Sequence, residues 1–163
     1  MPVEVHVRDA TASDISFIQE MLYEAANRPG DNWPPLDESI RKSGNFRFWR
    51  DWPRPGDIGV IAEADRAPVG AAWIRHFEGE DLAPWDESGV PVLAIGVVDR
   101  FRDKGIGRGL LDALIARASS EQVRAIDLAT GTFNERAVHL YHALGFRDTN
   151  RSGHAIGMRL TLA

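Results

Sequence analysis

The sequence predicts one mixed α/β domain over residues 1–163. Runs with apolar residues at every second position, or short unbroken Val/Ile-rich runs, alternate along the chain with stretches whose apolar residues recur at helical spacing. The chain has 163 residues, 44% hydrophobic and 26% charged, enough apolar material for one core and too little length for two large domains. No internal repeat or linker breaks the pattern, and the 15 glycines and 9 prolines are scattered rather than periodic.

Val3, Val5 and Val7 alternate with Glu4 and His6, which reads as a half-buried first strand. Thr11 and Asp14 have the spacing of a reciprocal helix cap ahead of Ile15, Ile18, Met21, Leu22 and Ala25, and Pro29-Gly30 should end that helix by Asn27. From Pro29 to Asp57 the pattern dissolves into proline, glycine, charge and aromatics, with one short helix expected around Leu36 to Ser43. Ile58 to Ala64 and Val69 to Phe77 read as a hairpin joined through Asp65 to Pro68. An acidic loop, Glu78 to Gly89, leads into a buried fourth strand, Pro91 to Val98. Ile106, Leu110, Leu114 and Ala118, with Leu111 and Ile115 beside them, mark the apolar face of a helix. Val123 to Ala129 is a fifth strand and Asn134 to Leu144 a helix ended by Gly145, with Phe146 to Thr149 and Ile156 to Leu162 closing the fold.

Composition excludes several classes. No run approaches the roughly 20 apolar residues of a membrane helix, and the opening MPVEVHVRDA lacks a basic head before an apolar run, so a soluble, cytoplasmic chain is expected. There is no cysteine, hence no disulfide framework, thiolate metal site or cysteine nucleophile. A net charge of −5 argues against nucleic acid as a partner.

The chemistry concentrates in Arg102-Asp-Lys-Gly-Ile-Gly-Arg-Gly109, between a strand and a helix. Gly105 and Gly107 allow close backbone approach. The helix start offers unpaired amides at the positive end of its dipole, and Arg102, Lys104 and Arg108 add positive charge suited to phosphate. Spacing excludes an ATP-binding P-loop, and a dinucleotide fingerprint would need glycine at position 110, which is Leu110. What remains is [Q/R]-x-x-G-x-[G/A], filled by Arg102, Gly105 and Gly107, followed by Asn134-Glu-Arg-Ala137-Val-His-Leu140-Tyr141-His-Ala-Leu144-Gly145-Phe146.

With these two signatures in order, the chain resembles the GNAT family of N-acetyltransferases. The resemblance implies a central, mostly antiparallel mixed sheet of six to seven strands with strands four and five splayed, flanked by about four helices, and acetyl-coenzyme A as co-substrate without a metal. It further implies that the backbone of Val97 and Val98 bonds the pantetheine arm and that the segment Arg102, Lys104, Gly105, Ile106, Gly107, Arg108 and Gly109 holds the pyrophosphate. Asn134, with Ala137 beside it, would contact the pantetheine, and Tyr141 would protonate the departing thiolate. Asn134 and Tyr141 are seven residues apart, about two helical turns, and so share a face. A phenol with an ordinary pKa near 10 keeps its proton at neutral pH, and without cysteine, direct attack of an amine on the thioester is the simplest route.

The base is less determined. Some GNAT enzymes carry a glutamate early in strand four, but Pro91 to Val98 has no ionisable residue. Glu63, Glu78 and His76 are the candidates, acting through water, or the amine arrives neutral. Tyr141 could instead be a core tyrosine, since Ala137 and Leu144 share its face. His139 and His142 read as exposed helix residues rather than metal ligands. The acidic loop could attract a cationic amine or be a solvated loop. The aromatic residues between Trp33 and Trp52, interleaved with Arg47 and Arg50, could stack on nucleic acid, but better fit core packing and the wall of an acceptor pocket.

A small-molecule amine is therefore the expected acceptor. Two alternatives remain open: a non-catalytic acyl-coenzyme A binding or sensing module, and an acetyltransferase with a protein or aminoacyl-nucleic acid acceptor. The depth of the acyl pocket would depend on Trp73, and the C-terminal strands offer an edge on which a second copy of the chain could pair as a homodimer.

Overall fold

In the computed structural model the described residues are 4–26, 44–83 and 86–162. They contain the strands β1 (Val5–Asp9), β2 (Ile58–Ala64), β3 (Ala67–Arg75), β4 (Val92–Val97), β5 (Ala125–Gly131), β6 (Arg147–Ser152) and β7 (Ala155–Thr161). The α-helices among them are α1 (Ile15–Ala26), α2 (Ile106–Ser120) and α3 (Glu135–Ala143). The expected short helix from Leu36 to Ser43 lies outside the described residues. The strands form one mixed sheet in the order β1-β2-β3-β4-β5-β7-β6. β1 pairs β2, β5 pairs β7 and β6 pairs β7 antiparallel, whereas β4 and β5 pair in parallel through Val92 against Asp127. Among the described residues no helix is long and apolar enough to cross a membrane.

The chain divides into two compact units, Met1–Trp73 with Ala94–Ala116, and Ile74–Leu93 with Arg117–Ala163. In the first, the helical spacing of α1 buries Ile18, Met21 and Leu22 against Ile61, Ala71, Trp73, Ala94 and Trp52. Ile18, Met21 and Ile61, fully buried, each contribute roughly 1.5–3 kcal/mol. The two indoles also satisfy their polar atoms: Trp52 Nε1 donates to the Thr11 carbonyl at 3.1 Å, and Trp73 Nε1 to that of Phe48 at 3.0 Å. α1 approaches β4 closely because position 96 is glycine; a Cβ there would lie 3.0 Å from the Met21 carbonyl carbon.

The entry to α1 follows the predicted cap. The Asp14 carboxylate accepts the Thr11 N–H at 2.7 Å and holds Arg8 through two bonds of 2.9 and 2.8 Å. The β2–β3 turn is tighter than the sequence suggested: Asp65 and Arg66, at φ 52° and 66°, make the whole connection. Two successive positive-φ residues match the twist of the strands they join, so Ala67 and Pro68 belong to β3.

In the second unit, β7 turns Ile156, Met158 and Leu160 inward, and Arg159 opposite Asp127 grips that carboxylate at 2.6 and 2.9 Å and also pairs with Glu87. β5 starts two residues later than expected because Val123 completes the end of α2. Its N–H bonds the Ala118 carbonyl and that of Gln122, at φ 65°, bonds Ser119, the pattern of a Schellman C-cap. β1 likewise lies two residues later than expected, its register set by Val7 against Ala62.

Candidate functional site

The strand–loop–helix segment in the first unit is assembled from close packing. Gly70 of β3 lets α2 settle: a Cβ there would meet Leu110 Cδ1 at 3.0 Å, the Gly96 carbonyl at 3.3 Å and Ile106 Cγ2 at 3.4 Å. Ile106, Leu110, Leu111 and Leu114 are buried on that face. The chain leaves β4 through a 3-10 turn at Asp99–Phe101, then breaks direction at Asp103 (φ 61°) and Gly105 (φ 81°). The bond of the Gly109 N–H to the Gly105 carbonyl, 3.1 Å, starts the helical ladder. Helix geometry therefore leaves the amides from Gly105 to Arg108 without a partner inside the helix, at the positive end of its dipole. A Cβ at Gly105 or Gly109 would meet nothing within 4 Å.

The expected cofactor residues divide according to what else they bond. The Val98 N–H is spent on the Val69 carbonyl at 2.8 Å, and its carbonyl accepts the Phe101 N–H at 2.8 Å. Strand alternation then puts the Val97 backbone groups on the opposite edge of β4, where its carbonyl accepts Arg102 Nε at 3.3 Å. Arg102 is further tied to Glu24 at 3.1 Å and Asp99 at 3.3 Å, and Arg108 reaches Asp112 at 3.4 Å. Lys104 is exposed and without a side-chain partner among the described residues.

In the second unit, the segment from Asn134 to Phe146 places its signature residues through its two ends. Asn134 stands at the N-cap of α3 and the Val138 N–H bonds its carbonyl at 3.0 Å, but its side chain makes no cap bond and is exposed. At the other end Gly145, φ 103°, closes a Schellman cap in which the Phe146 N–H bonds the Tyr141 carbonyl and the Gly145 N–H that of His142, each at 3.0 Å. The Tyr141 and Phe146 rings meet at 5.7 Å, the apolar contact that accompanies such a cap. This cap fixes the Tyr141 ring. Tyr141 is 7% exposed, and burial pushes its hydroxyl up to about 12. Among the described residues that hydroxyl has no hydrogen-bond partner. Ala137 is half-buried on the same helix, His139 is exposed, and His142 is engaged by Asp148 at 2.7 Å.

Glu63 is held by Arg8 at 3.2 Å and sits opposite His6 in the β1–β2 ladder. Glu78 and His76 are exposed, and Glu78 has no side-chain partner among the described residues. The acidic loop is organised rather than loose: Asp86 accepts the Ala83 N–H at 2.9 Å and Glu87 joins Arg159. Trp52 and Trp73 are core residues, while Phe46 remains 36% exposed, edge-on to Trp49 at 4.8 Å. Two residues escaped the sequence reading. Glu24 could be paired with Arg102 only through contact across 78 positions. Phe133, 50% exposed, lies on the backbone of Gly131, whose Cβ would collide with its ring, and its signal was an aromatic residue in a strand-to-helix turn.

The chain matches the family model described as the acetyltransferase (GNAT) family over residues 19–146. It is 38% identical over 100 residues to the mycothiol acetyltransferase of Propionibacterium freudenreichii, covering 61% of this chain and 30% of that protein. Human N-acetylaspartate synthetase is 32% identical over 111 residues, covering 67% of this chain and 34% of that protein. The chain thus spans about a third of the length of these two relatives, and 60% of an uncharacterised N-acetyltransferase of Methanocaldococcus jannaschii. In fold, it superposes on an acetyltransferase of Salmonella typhimurium solved with acetyl-CoA, with a TM-score of 0.71 at 20% identity over 98% of this chain and 95% of that one. A phosphinothricin acetyltransferase of Sinorhizobium meliloti in complex with AcCoA gives 0.70 at 23% identity over 97% and 88%. With more than half of its length matched by the family model, and with both signatures on the elements just described, the chain belongs to the GNAT family of acetyltransferases.

Proposed function

We propose that the chain is an acetyl-coenzyme A dependent N-acetyltransferase that transfers acetyl directly to a small-molecule amine. The observation that carries this reading is the open start of α2: a glycine at φ 81°, amides without partners inside the helix, and Lys104 exposed beside them. That donor set fits a pyrophosphate, and the clear space at Gly105 admits it without a Cβ in the way. The Val97 edge of β4 offers backbone groups for the pantetheine amides, and Asn134, whose side chain is not spent on its own helix, offers a further amide.

In the reaction, the amine nitrogen attacks the thioester carbonyl, the C–S bond breaks, and a base takes the proton lost from nitrogen. Glu78 suits that base better than Glu63, which Arg8 already holds. Tyr141 gives its proton to the departing thiolate. Its phenol, at about 12, is a weaker acid than the thiol it forms, near 8.5. Loss of the hydroxyl in Tyr141→Phe should therefore lower turnover by about a hundred-fold, the low end for general acid catalysis.

Free-thiol release from acetyl-coenzyme A, measured with amino acids, polyamines, aminoglycosides, arylamines and short peptides, tests the reading. Turnover with one class, reduced in Tyr141→Phe at unchanged cofactor affinity, is the expected result. Equal turnover in the variant removes Tyr141 from the chemistry. Tight cofactor binding with a silent panel favours the sensing module or a macromolecular acceptor.

A further inference from the structure

The basic residue that opens the glycine signature is half-exposed, yet its guanidinium is bonded to the protein. Arg102 meets three acceptors: the Glu24 carboxylate at 3.1 Å, the Asp99 carboxylate at 3.3 Å and the Val97 carbonyl, through Nε, at 3.3 Å. Glu24 is the more enclosed of the two acids, its side chain 29% exposed against 85% for Asp99. It comes from the last turns of α1, an element that carries neither signature. A guanidinium has its donors in a fixed planar fork, so when Glu24 takes the terminal nitrogen, the direction of Nε is largely set. That direction is onto the peptide carbonyl at the end of β4, just before the chain turns toward α2.

We propose that Glu24 is a positioning residue for the donor site. Acting through Arg102, it fixes the Val97 carbonyl on the edge of β4 away from Val69, and Arg102 is a strut rather than a phosphate ligand. The proposal rests on the reading of this segment as the acetyl-coenzyme A site, and it divides labour within it. The pyrophosphate falls to the α2 amides and Lys104, and the pantetheine arm to a Val97 peptide held from α1. A carbonyl oxygen has two lone pairs, so the Arg102 bond at Val97 leaves one for a pantetheine N–H.

Two ligands separate this role from a direct phosphate contact: acetyl-coenzyme A, and its nucleotide half, phosphoadenosine diphosphate, which lacks the pantetheine arm. Both would be titrated by calorimetry, the weaker by displacement of the stronger, into the wild type, Glu24→Gln, Arg102→Gln and the double variant. Each single variant is expected to weaken acetyl-coenzyme A by about two- to five-fold, the range of partly exposed ion pairs. The double variant should fall no further than Arg102→Gln alone, and all four proteins should bind the nucleotide half equally. Thermal midpoints within about 2 °C of the wild type would separate positioning from loss of fold.

If Arg102→Gln weakens the nucleotide half as well, Arg102 is a phosphate ligand and the proposal is wrong. If Glu24→Gln changes neither ligand, or its effect persists at full size in the Arg102→Gln background, Glu24 does not act through Arg102. Failure of the wild type to bind acetyl-coenzyme A, or its nucleotide half, would sink the donor-site reading itself, a result distinct from these.

Discussion

The burial of the Tyr141 phenol makes a quantitative prediction. In the unfolded chain its phenol loses a proton near pH 10, and in the folded protein burial holds that proton to about 12. Between these values the native state binds more protons than the unfolded state, so stability falls as pH rises. The contribution is complete below pH 10 and is lost through about 12. A pKa rise from 10 to about 12 corresponds to about 2–3 kcal/mol over that window. In Tyr141→Phe the ring and its Schellman contact with Phe146 remain, and the hydroxyl removed has no hydrogen-bond partner among the described residues. The variant should match the wild type to within about 1 kcal/mol at neutral pH. Urea unfolding followed by tryptophan fluorescence across the alkaline range is the assay, and the difference between the two proteins removes the titration of lysines and of Tyr23. Tyr141→Phe should gain on the wild type by about 2–3 kcal/mol as pH rises from about 10 to 12. Parallel profiles would show that the phenol is not desolvated, and the reasoning about its protonation in catalysis would fail with it.

The same denaturation experiment addresses two further positions. Asp14→Ala removes the acceptor for the Thr11 N–H and the fork of Arg8, and should cost about 1–2 kcal/mol near neutrality. The Arg8 guanidinium holds the Asp14 carboxyl below the ordinary aspartate value, so the gap to wild type should be full above about pH 4 and shrink as pH falls below it; a gap independent of pH would refute the pairing. Gly145→Ala forces φ 103° on an alanine whose Cβ would stand 3.3 Å from Leu160 Cδ1, and should cost about 1–3 kcal/mol. A neutral substitution there would mean that α3 does not depend on its Schellman cap.

Local rules made much of the fold legible. The alternation of Ile156, Met158 and Leu160, the Thr11–Asp14 cap and the apolar face of α2 depend on neighbours a few residues away, and the sequence pattern reports them directly. Element ends were less legible where a second structure claims the same residue. Val123 has strand character, yet its N–H closes α2, and Ala67 and Pro68 pair because two residues suffice for the turn. For the candidate site, the glycines and the helix start could be read from spacing, but the partners of charged side chains could not. Arg102 looks like a phosphate ligand in the motif, whereas in the structure it pairs with Glu24, from a distant element, and with Asp99 and the Val97 carbonyl nearby. Val98 was expected to serve the pantetheine arm together with Val97; strand alternation commits its N–H to Val69. Asn134 has the residue type of a cap and the position of one without the side-chain bond. These three depend on tertiary pairing or on a single torsion angle, neither of which residue type determines.

Calorimetric titration of acetyl-coenzyme A into the wild type and Gly107→Glu tests the cradle at the start of α2 most directly. A glutamate in the first turn of a helix complements the helix dipole, so the variant should fold, while its charge stands where the pyrophosphate is expected to bind. The account predicts saturable binding by the wild type and none by a folded Gly107→Glu protein. Wild-type affinity in the variant would contradict the account, because the phosphates would then lie somewhere other than the open amides of Gly105 to Arg108.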